Sequence, residues 1–378
     1  MRTPLKPLAF AMLLLAAGVA GVGQPGSLAW RPVGDGVEHL HLERPTGSGG
    51  QWNVHALRID MSRARLDVIR AKDAAVGLET TSAIAARVGA IAAVNGGYFK
   101  TGDDFVGDST GTLQIDGALW SEPDRARASV GIVREGTTSR LMFGHVTWQG
   151  SLDVAGQKRR VDGLNRARGP NDLVVFTPSF GAAPTTDATG IEVSVNANAI
   201  AEVRDQAGGT PIPRDGFVIS ARGTSADWVR RVARPASPVR LSMTLRPLQT
   251  STPNRWTSAE DILGAGPLLV VNGRVEITDR LERMTPAFRT DLHPRTAIAW
   301  LGDGRALLLV ADGRHPPQRV GLTLDDLARL LIELGARDAI NLDGGGSTTI
   351  VVQGEIVNVP SDITGERPVS DAIVVRAK

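Results

Sequence analysis

AINLDGGGSTTIVV, residues 339–352, sets one carboxylate and three consecutive glycines between two apolar, β-branched runs. Both runs read as buried strands, so Asp343 falls where the chain leaves the core. Glycines 344–346 permit φ > 0 and a close backbone approach to a ligand, and successive N–H groups in such a turn converge into an anion-binding nest. Ser347 and Thr348 add hydroxyls. A plain turn also uses Gly, Asp and Ser, but it needs only one or two glycines, and three in a row cost backbone entropy. A nucleotide-phosphate loop does not fit, because the GK[ST] ending is missing and residues 348–352 are β-branched rather than helical. The pattern predicts a carboxylate beside a place for a phosphate or similar oxyanion.

Outward from this stretch, strands dominate. Residues 66–70, 111–119 with an Asp116-Gly117 turn, 173–177, 191–195, 306–310 and 348–357 are β-branched or alternating and bounded by turn residues. Two helices are predicted, a short one over 82–88 and a clearer one over 324–334. In the latter, Leu327, Leu330, Leu331 and Leu334 share one face, Thr323 caps the start, Asp326 lies in the first turn and Gly335 ends it. The expected fold is α+β, a large mixed, mainly antiparallel sheet with few helices. Residues 146–247 are rich in Gly, Pro and short strands and read as an inserted β-rich module within a single domain spanning 30–378.

The chain also resembles itself. GAIAAVN at 89–95 and GARDAIN at 335–341 share a pattern, each after a predicted helix and before a glycine turn. Two similar half-units are expected to bring Asn95 and Asn341 to matching strand ends beside one site.

Composition bounds the partners. The 42 basic and 40 acidic residues nearly balance, and lysine occurs only at 6, 72, 100, 158 and 378. No basic run with interleaved aromatics marks a nucleic-acid face. Arginine supplies planar forks suited to phosphate wherever one meets the site. Aromatics make up 4% of the chain, which gives no row of stacking platforms for a long polysaccharide groove, and Trp120, Trp148, Trp256 and Trp300 read as core. Arg2 and Lys6, an apolar run over 8–20 and small residues after it have the layout of a secretory signal peptide over 1–29. The run is shorter than the ~20 residues of a spanning helix, so a secreted or periplasmic product with no stable membrane span is expected. The chain has no cysteine, hence no disulfide framework.

NLDGGGST at 341–348, AVNGGYF at 93–99, ILGAGPLLVVNG at 262–273, HPRTAIAW at 293–300 and ERPVSDAIVV at 366–375 together resemble the phosphodiester glycosidase family. Each motif alone is weak; five in order over most of the chain are fairly specific. The resemblance implies a hydrolase that cleaves the glycosidic C–O bond of a sugar 1-phosphodiester, of N-acetylglucosamine type or a related envelope glycan. It also implies that Arg295 contacts phosphate and that Arg367 closes the site from the C-terminal strand.

Read for chemistry, Asp343 is the carboxylate expected near the anomeric carbon, and Arg295 with the N–H groups of Gly344, Gly345 and Gly346 would hold the phosphate. Asn95, Gly96, Gly97 and Tyr98 form a second candidate substrate loop. Asn-Gly is also the strongest hairpin signal, but Tyr98, the one tyrosine of the chain, directly follows the glycines. Asn341, Ser347, Thr348, Asp312, Arg314 and Arg367 complete the expected binding set, with Asp312 and Asp108 as candidates for a second carboxylate. Gly264, Gly266 and Pro267 read as loop-shaping residues. His39-x-His41 would face one way on a strand, but no HExxH or paired ligand spacing surrounds it, so neither a metal nor another cofactor is expected. Two other classes stay open to the sequence: a carbohydrate-binding envelope protein without catalysis, and a metal-dependent phosphodiesterase.

Overall fold

The computed structural model describes residues 28–378 except 48, 103–104, 125 and 250–253. Most of the leader expected at 1–29 therefore lies outside the described residues. No helix among the described residues is long and apolar enough to cross a membrane.

The expected sheet-rich, mainly antiparallel fold is present, divided over four sheets rather than drawn as one large one. Right-handed twist accumulates with each added strand, and large open sheets split into packed layers. An eight-stranded antiparallel sheet runs in the order Arg31–Gly34, Val37–Pro45, Gln51–Ile59, Ala306–Ala311, Arg295–Leu301, Ala336–Asn341, Leu268–Val271, Arg274–Val275. A five-stranded antiparallel sheet contains Ala92–Asn95 between Ile350–Val352 and Asp371–Ala377. These sheets face each other across the main core, where Leu57, Ile298 and Ile340 of one meet Leu66, Val94 and Ile373 of the other. A seven-stranded sheet closes the side with Val130, Ile132 and Leu263.

Each facing sheet carries one helix on its outer surface. Helix Leu324–Glu333 covers the eight-stranded sheet, burying Leu324, Leu327, Leu330 and Leu331 against Leu269, Ala297 and Leu309. The Thr323 hydroxyl accepts the Asp326 N–H at 3.1 Å, a cap worth about 1 kcal/mol. Gly335, at φ 96°, ends the helix in the left-handed conformation that favours glycine. Helix Thr81–Arg87 covers the five-stranded sheet through Ile84 and Ala85. Two further helices, Thr224–Val232 and Pro286–Thr290, were not expected from the sequence; the second is only five residues long, too short to set a period.

Residues 163–221 contain a sheet of their own, with the one parallel pair of the described strands, Gly163–Leu164 beside Leu173–Phe176. It packs a separate core with Leu152, Val154 and Val239. Trp256 is buried and Trp120, Trp148 and Trp300 pack against core clusters, as expected from their setting.

Candidate active site

The two similar segments meet. Asn95 ends a strand of the five-stranded sheet and Asn341 ends a strand of the eight-stranded sheet, and each follows a helix–glycine–strand unit. Both asparagines are fully buried. Asn95 Nδ2 donates to the backbone oxygen of Asp343 at 2.6 Å, and Asn341 Nδ2 donates to the Tyr98 hydroxyl at 3.0 Å. The Asp343 N–H donates to Gly96 O at 3.0 Å, so the glycine loop after each asparagine is held by the other half. Asn95 Oδ1 accepts the Thr296 hydroxyl at 2.7 Å and the Thr349 N–H at 3.2 Å. Expected as a direct ligand contact, Asn95 is committed to the protein and positions Asp343.

Asp343 stands at the mouth of this clasp. Burial pushes its carboxyl up to about 6, against the downward pull of the Ser347 hydroxyl, the Gly344 N–H and the Arg367 charge. Gly344 N–H donates to Asp343 Oδ1 at 2.9 Å. The Ser347 hydroxyl is buried near the carboxylate but forms no hydrogen bond of good geometry.

The three glycines serve different ends. Only Gly345 has positive φ, at 61°, where the short turn Gly345–Ser347 begins. Gly344 is extended, and a Cβ there would come within 2.7 Å of Pro294 O. At Gly346 a Cβ would overlap the Arg367 guanidinium and the Asp362 carboxylate. Of the three glycines expected to permit φ > 0 and a close approach, only Gly345 takes positive φ; at the other two, backbone or side chains lie where a Cβ would be. Gly96 and Gly97 follow the same rule, packed on Asp371 and Gly264. Gly97 N–H donates to Asp371 Oδ1 at 2.7 Å, and Asp371 pairs with the buried Arg70 at 3.3 Å.

Arg295 begins its strand, 2% exposed. Its Nε donates to Leu322 O at 3.0 Å and Nη2 donates to Phe288 O at 2.8 Å and Asp291 O at 3.1 Å. The guanidinium lies 5.1 Å from the Phe288 ring centre, and among the described residues it has no ion pair. Burial pulls it down to about 10, against the opposing pull of Tyr98 and the Asp291 charge. A buried cation without a direct ion pair is costly.

Tyr98 links these groups. Its hydroxyl donates to Gly266 O at 2.7 Å, its ring stands edge-on to Phe288 at 6.4 Å, and the Arg127 guanidinium lies 4.9 Å from its centre. Burial, then the Asp343 charge, drives the phenol well above its ordinary value. Arg127 Nε, Asn341 Oδ1 and the hydroxyls of Ser347, Thr348 and Thr349 are buried without partners. Native interiors seldom leave such atoms unpaired.

Two more arginines border the loop. Arg314, exposed, lies over Gly345, and Arg367 lies over Gly346 while forking onto Asp362 at 2.7 and 3.0 Å. Asp312 is at the same sheet end but its oxygens accept Asn53 Nδ2 at 2.7 Å, Asn358 Nδ2 at 3.1 Å and Val359 N–H at 3.1 Å. Asp108 pairs with Lys100 at 2.7 Å. Both are tied to protein partners, which suits a structural carboxylate better than a second catalytic one. Gly266 at φ 106° leaves room for the carboxylate of Glu282, which accepts from the Thr278 hydroxyl at 2.6 Å and lies 3.0 Å from His145 Nε2. Arg127 and Glu282 were missed because neither lies in a recognisable motif; Asp371 sits inside ERPVSDAIVV but had no signal separating it from a strand residue. Among the described residues no three His, Asp or Glu side chains group to hold a metal ion.

A carboxylate raised by burial, a buried guanidinium held by three backbone carbonyls and a glycine turn come together here. Residues 189–376 match the model of the phosphodiester glycosidase family, and over that stretch the chain belongs to it. A mouse N-acetylglucosamine-1-phosphodiester alpha-N-acetylglucosaminidase is 41% identical over 68 residues, 18% of this chain and 13% of that enzyme. The chain thus matches only about an eighth of this curated relative's length. A solved structure from Burkholderia pseudomallei has TM-score 0.75 and 28% identity, covering 87% of this chain and 74% of the other. One from Synechocystis, at TM-score 0.74 and 24% identity over 91% of this chain and 62% of the other, shows the same fold. The Asn95 loop lies outside the family match yet is joined to Asp343 within it.

Proposed function

We propose that the protein hydrolyses the glycosidic C–O bond of a sugar 1-phosphodiester, with Asp343 at the anomeric carbon. The observation that carries this reading is the carboxyl of Asp343, raised to about 6, in one site with Arg295, a buried guanidinium that no carboxylate pairs. The leaving group, a phosphate monoester, is already a stable anion, so little protonation is needed. What the reaction requires is a carboxylate facing the oxocarbenium-like centre and cations around the phosphate. Ionised Asp343 supplies the first, as nucleophile, base or electrostatic partner. Arg295, with Arg127, Arg314 and Arg367 near the loop, supplies the second. Tyr98, fixed by Asn341 and Gly266, stays protonated and offers a rigid wall. The catalytic unit is one domain over 30–378 with residues 146–247 inserted, and the leader over 1–29 directs it to the periplasm or outside the cell.

The test is hydrolysis of an α-N-acetylglucosamine 1-phosphodiester in ¹⁸O-labelled water by the full chain and by Asp343→Asn. Label on the sugar, lost in the variant, is the expected result. Label on phosphate would assign P–O cleavage and overturn the reading.

A further inference from the structure

The long strand Thr138–Val154 changes surroundings along its length. Over 138–145 it pairs with Ala128–Glu135, and Leu141 and Phe143 enter the main core. His145, two residues on, reaches Glu282, whose carboxylate lies against Gly266, the residue that accepts the Tyr98 hydroxyl. Past Val146 the strand overhangs the main core and pairs with Val239–Pro247 and Gln157–Arg160. The pleat keeps alternate residues on one side, so Thr147, Gln149, Ser151 and Asp153 continue the face that His145 begins.

That overhanging face is polar and cationic. Thr147 is registered with Arg246, Gln149 with Thr244, Ser151 with Ser242, and Asp153 with Arg240 on one side and Lys158 on the other. The other face, with Leu152, Leu241 and Met243, packs on the module core. Lys158, Arg240 and Arg246 are exposed and, among the described residues, have neither an ion pair nor a side-chain hydrogen bond. Asp153, the single acid in this register, accepts Gly156 N–H at 2.8 Å. A groove of about 290 Å³ runs along these side chains. From Arg246 to Arg240 is six residues, about 20 Å at strand rise, which is longer than one sugar phosphate.

We propose that this face is a track for an anionic glycan polymer whose sugar-phosphodiester end enters the Asp343 site. The inference rests on the proposed function for what the track delivers, not for the track itself. The cations match repeated phosphate or carboxylate charges, and the rows of hydroxyl and amide groups match sugar hydroxyls. No aromatic side chain lies on this face, so it lacks the stacking platforms with which proteins hold single-stranded nucleic acid.

The test is fluorescence anisotropy of labelled poly(glycerol phosphate) at low salt with the full chain, with the combined Lys158→Ser, Arg240→Ser and Arg246→Ser variant, and with Arg240→Lys plus Arg246→Lys. Binding at least about tenfold weaker in the serine variant, and within about twofold of native in the lysine variant, is the expected result, with turnover of a small diester unchanged in both. Equal binding by the serine variant, equal affinity for neutral dextran, or tighter binding of single-stranded DNA would each overturn the track. Because binding is read without turnover, and can be repeated with Asp343→Asn, a chain that binds the polymer but releases no sugar defeats the hydrolase reading and leaves the track in place.

Discussion

Asn95 Nδ2 donates to the backbone oxygen of Asp343 across 2.6 Å, joining residues 248 apart in the chain. In return Asn341 Nδ2 holds Tyr98, which follows Asn95 by three. The candidate site is thus a seam between two sheets, and its geometry depends on two amides that need touch no substrate.

Replacing Asn95 with Ala strands three buried partners at once: Asp343 O, the Thr296 hydroxyl and the Thr349 N–H. The expected cost is about 3 kcal/mol or more. Chemical denaturation gives the stability, and turnover is expected to fall further than the unfolded fraction accounts for, because the Asp343 loop loses its anchor.

Asp343 gives opposite signs for stability and activity. Its folded pKa of about 6 lies above the ordinary value of 3.8, so the folded state binds the extra proton. Its contribution is full below pH 3.8 and lost as pH rises through 6. At pH 7 the ionised group costs up to about 3 kcal/mol, and Asp343→Asn is expected to raise the melting temperature while lowering kcat on the order of a thousandfold. In the native chain kcat/KM is expected to fall as pH drops through about 6. A variant that melts lower, or a rate flat from pH 4 to 8, would contradict the assignment.

Arg295 is expected to announce itself through anions. Inorganic phosphate should raise the melting temperature of the native chain by pairing directly with the guanidinium, and Arg295→Lys should respond weakly, since a lysine cannot keep all three carbonyl bonds and still present a fork. On a phosphodiester substrate the same variant should raise KM at least about tenfold. An unchanged phosphate response would place the anion elsewhere.

The glycines separate by what they touch. At Gly96 an added methyl meets Asp371, including its backbone oxygen at 3.1 Å, whereas at Gly346 it meets only the ends of Arg367 and Asp362. Gly96→Ala should destabilise by more than about 2 kcal/mol. Gly346→Ala should cost little stability but shift Arg367 and lower activity. Paired thermal melts and rates compare the two directly.

On two neighbouring strands of the eight-stranded sheet, three histidines stack: the rings of His41 and His55 are 4.3 Å apart and those of His39 and His55 5.3 Å. Burial first, then His41, His39 and Arg319, pull His55 down to about 3. The unfolded chain therefore binds the proton first, and stability should fall from about pH 6.5 toward 3, by about 3 kcal/mol at pH 4. Asn53 joins His41 to Asp312 at 2.6 and 2.7 Å. His55→Gln should flatten this limb of the pH–stability curve.

The helix Leu324–Glu333, its Thr323 cap and its Gly335 stop were legible because a period of 3.6 and end chemistry are local properties. So were the strands expected at 66–70, 173–177, 191–195 and 306–310, and so was the place of Asp343 just past a strand end and ahead of three glycines. The shared GAxxA[VI]N pattern even indicated which strand ends belong together.

What those glycines are for was not legible. Positive φ is a local demand and Gly345 alone meets it; the space taken at Gly344, Gly346, Gly96 and Gly97 belongs to Pro294, Arg367, Asp371 and Gly264, residues far away in sequence. The same distance hid Arg127 and Glu282 and turned Asn95 from a ligand contact into a support. By itself the sequence determined a sheet-rich fold, two helices and the place of a carboxylate ahead of three glycines, since propensity, pattern and capping act over a few residues. Only the tertiary structure decided which cations stay unpaired and which polar atoms are committed, because burial and counter-charge are properties of neighbours that the chain brings together only on folding.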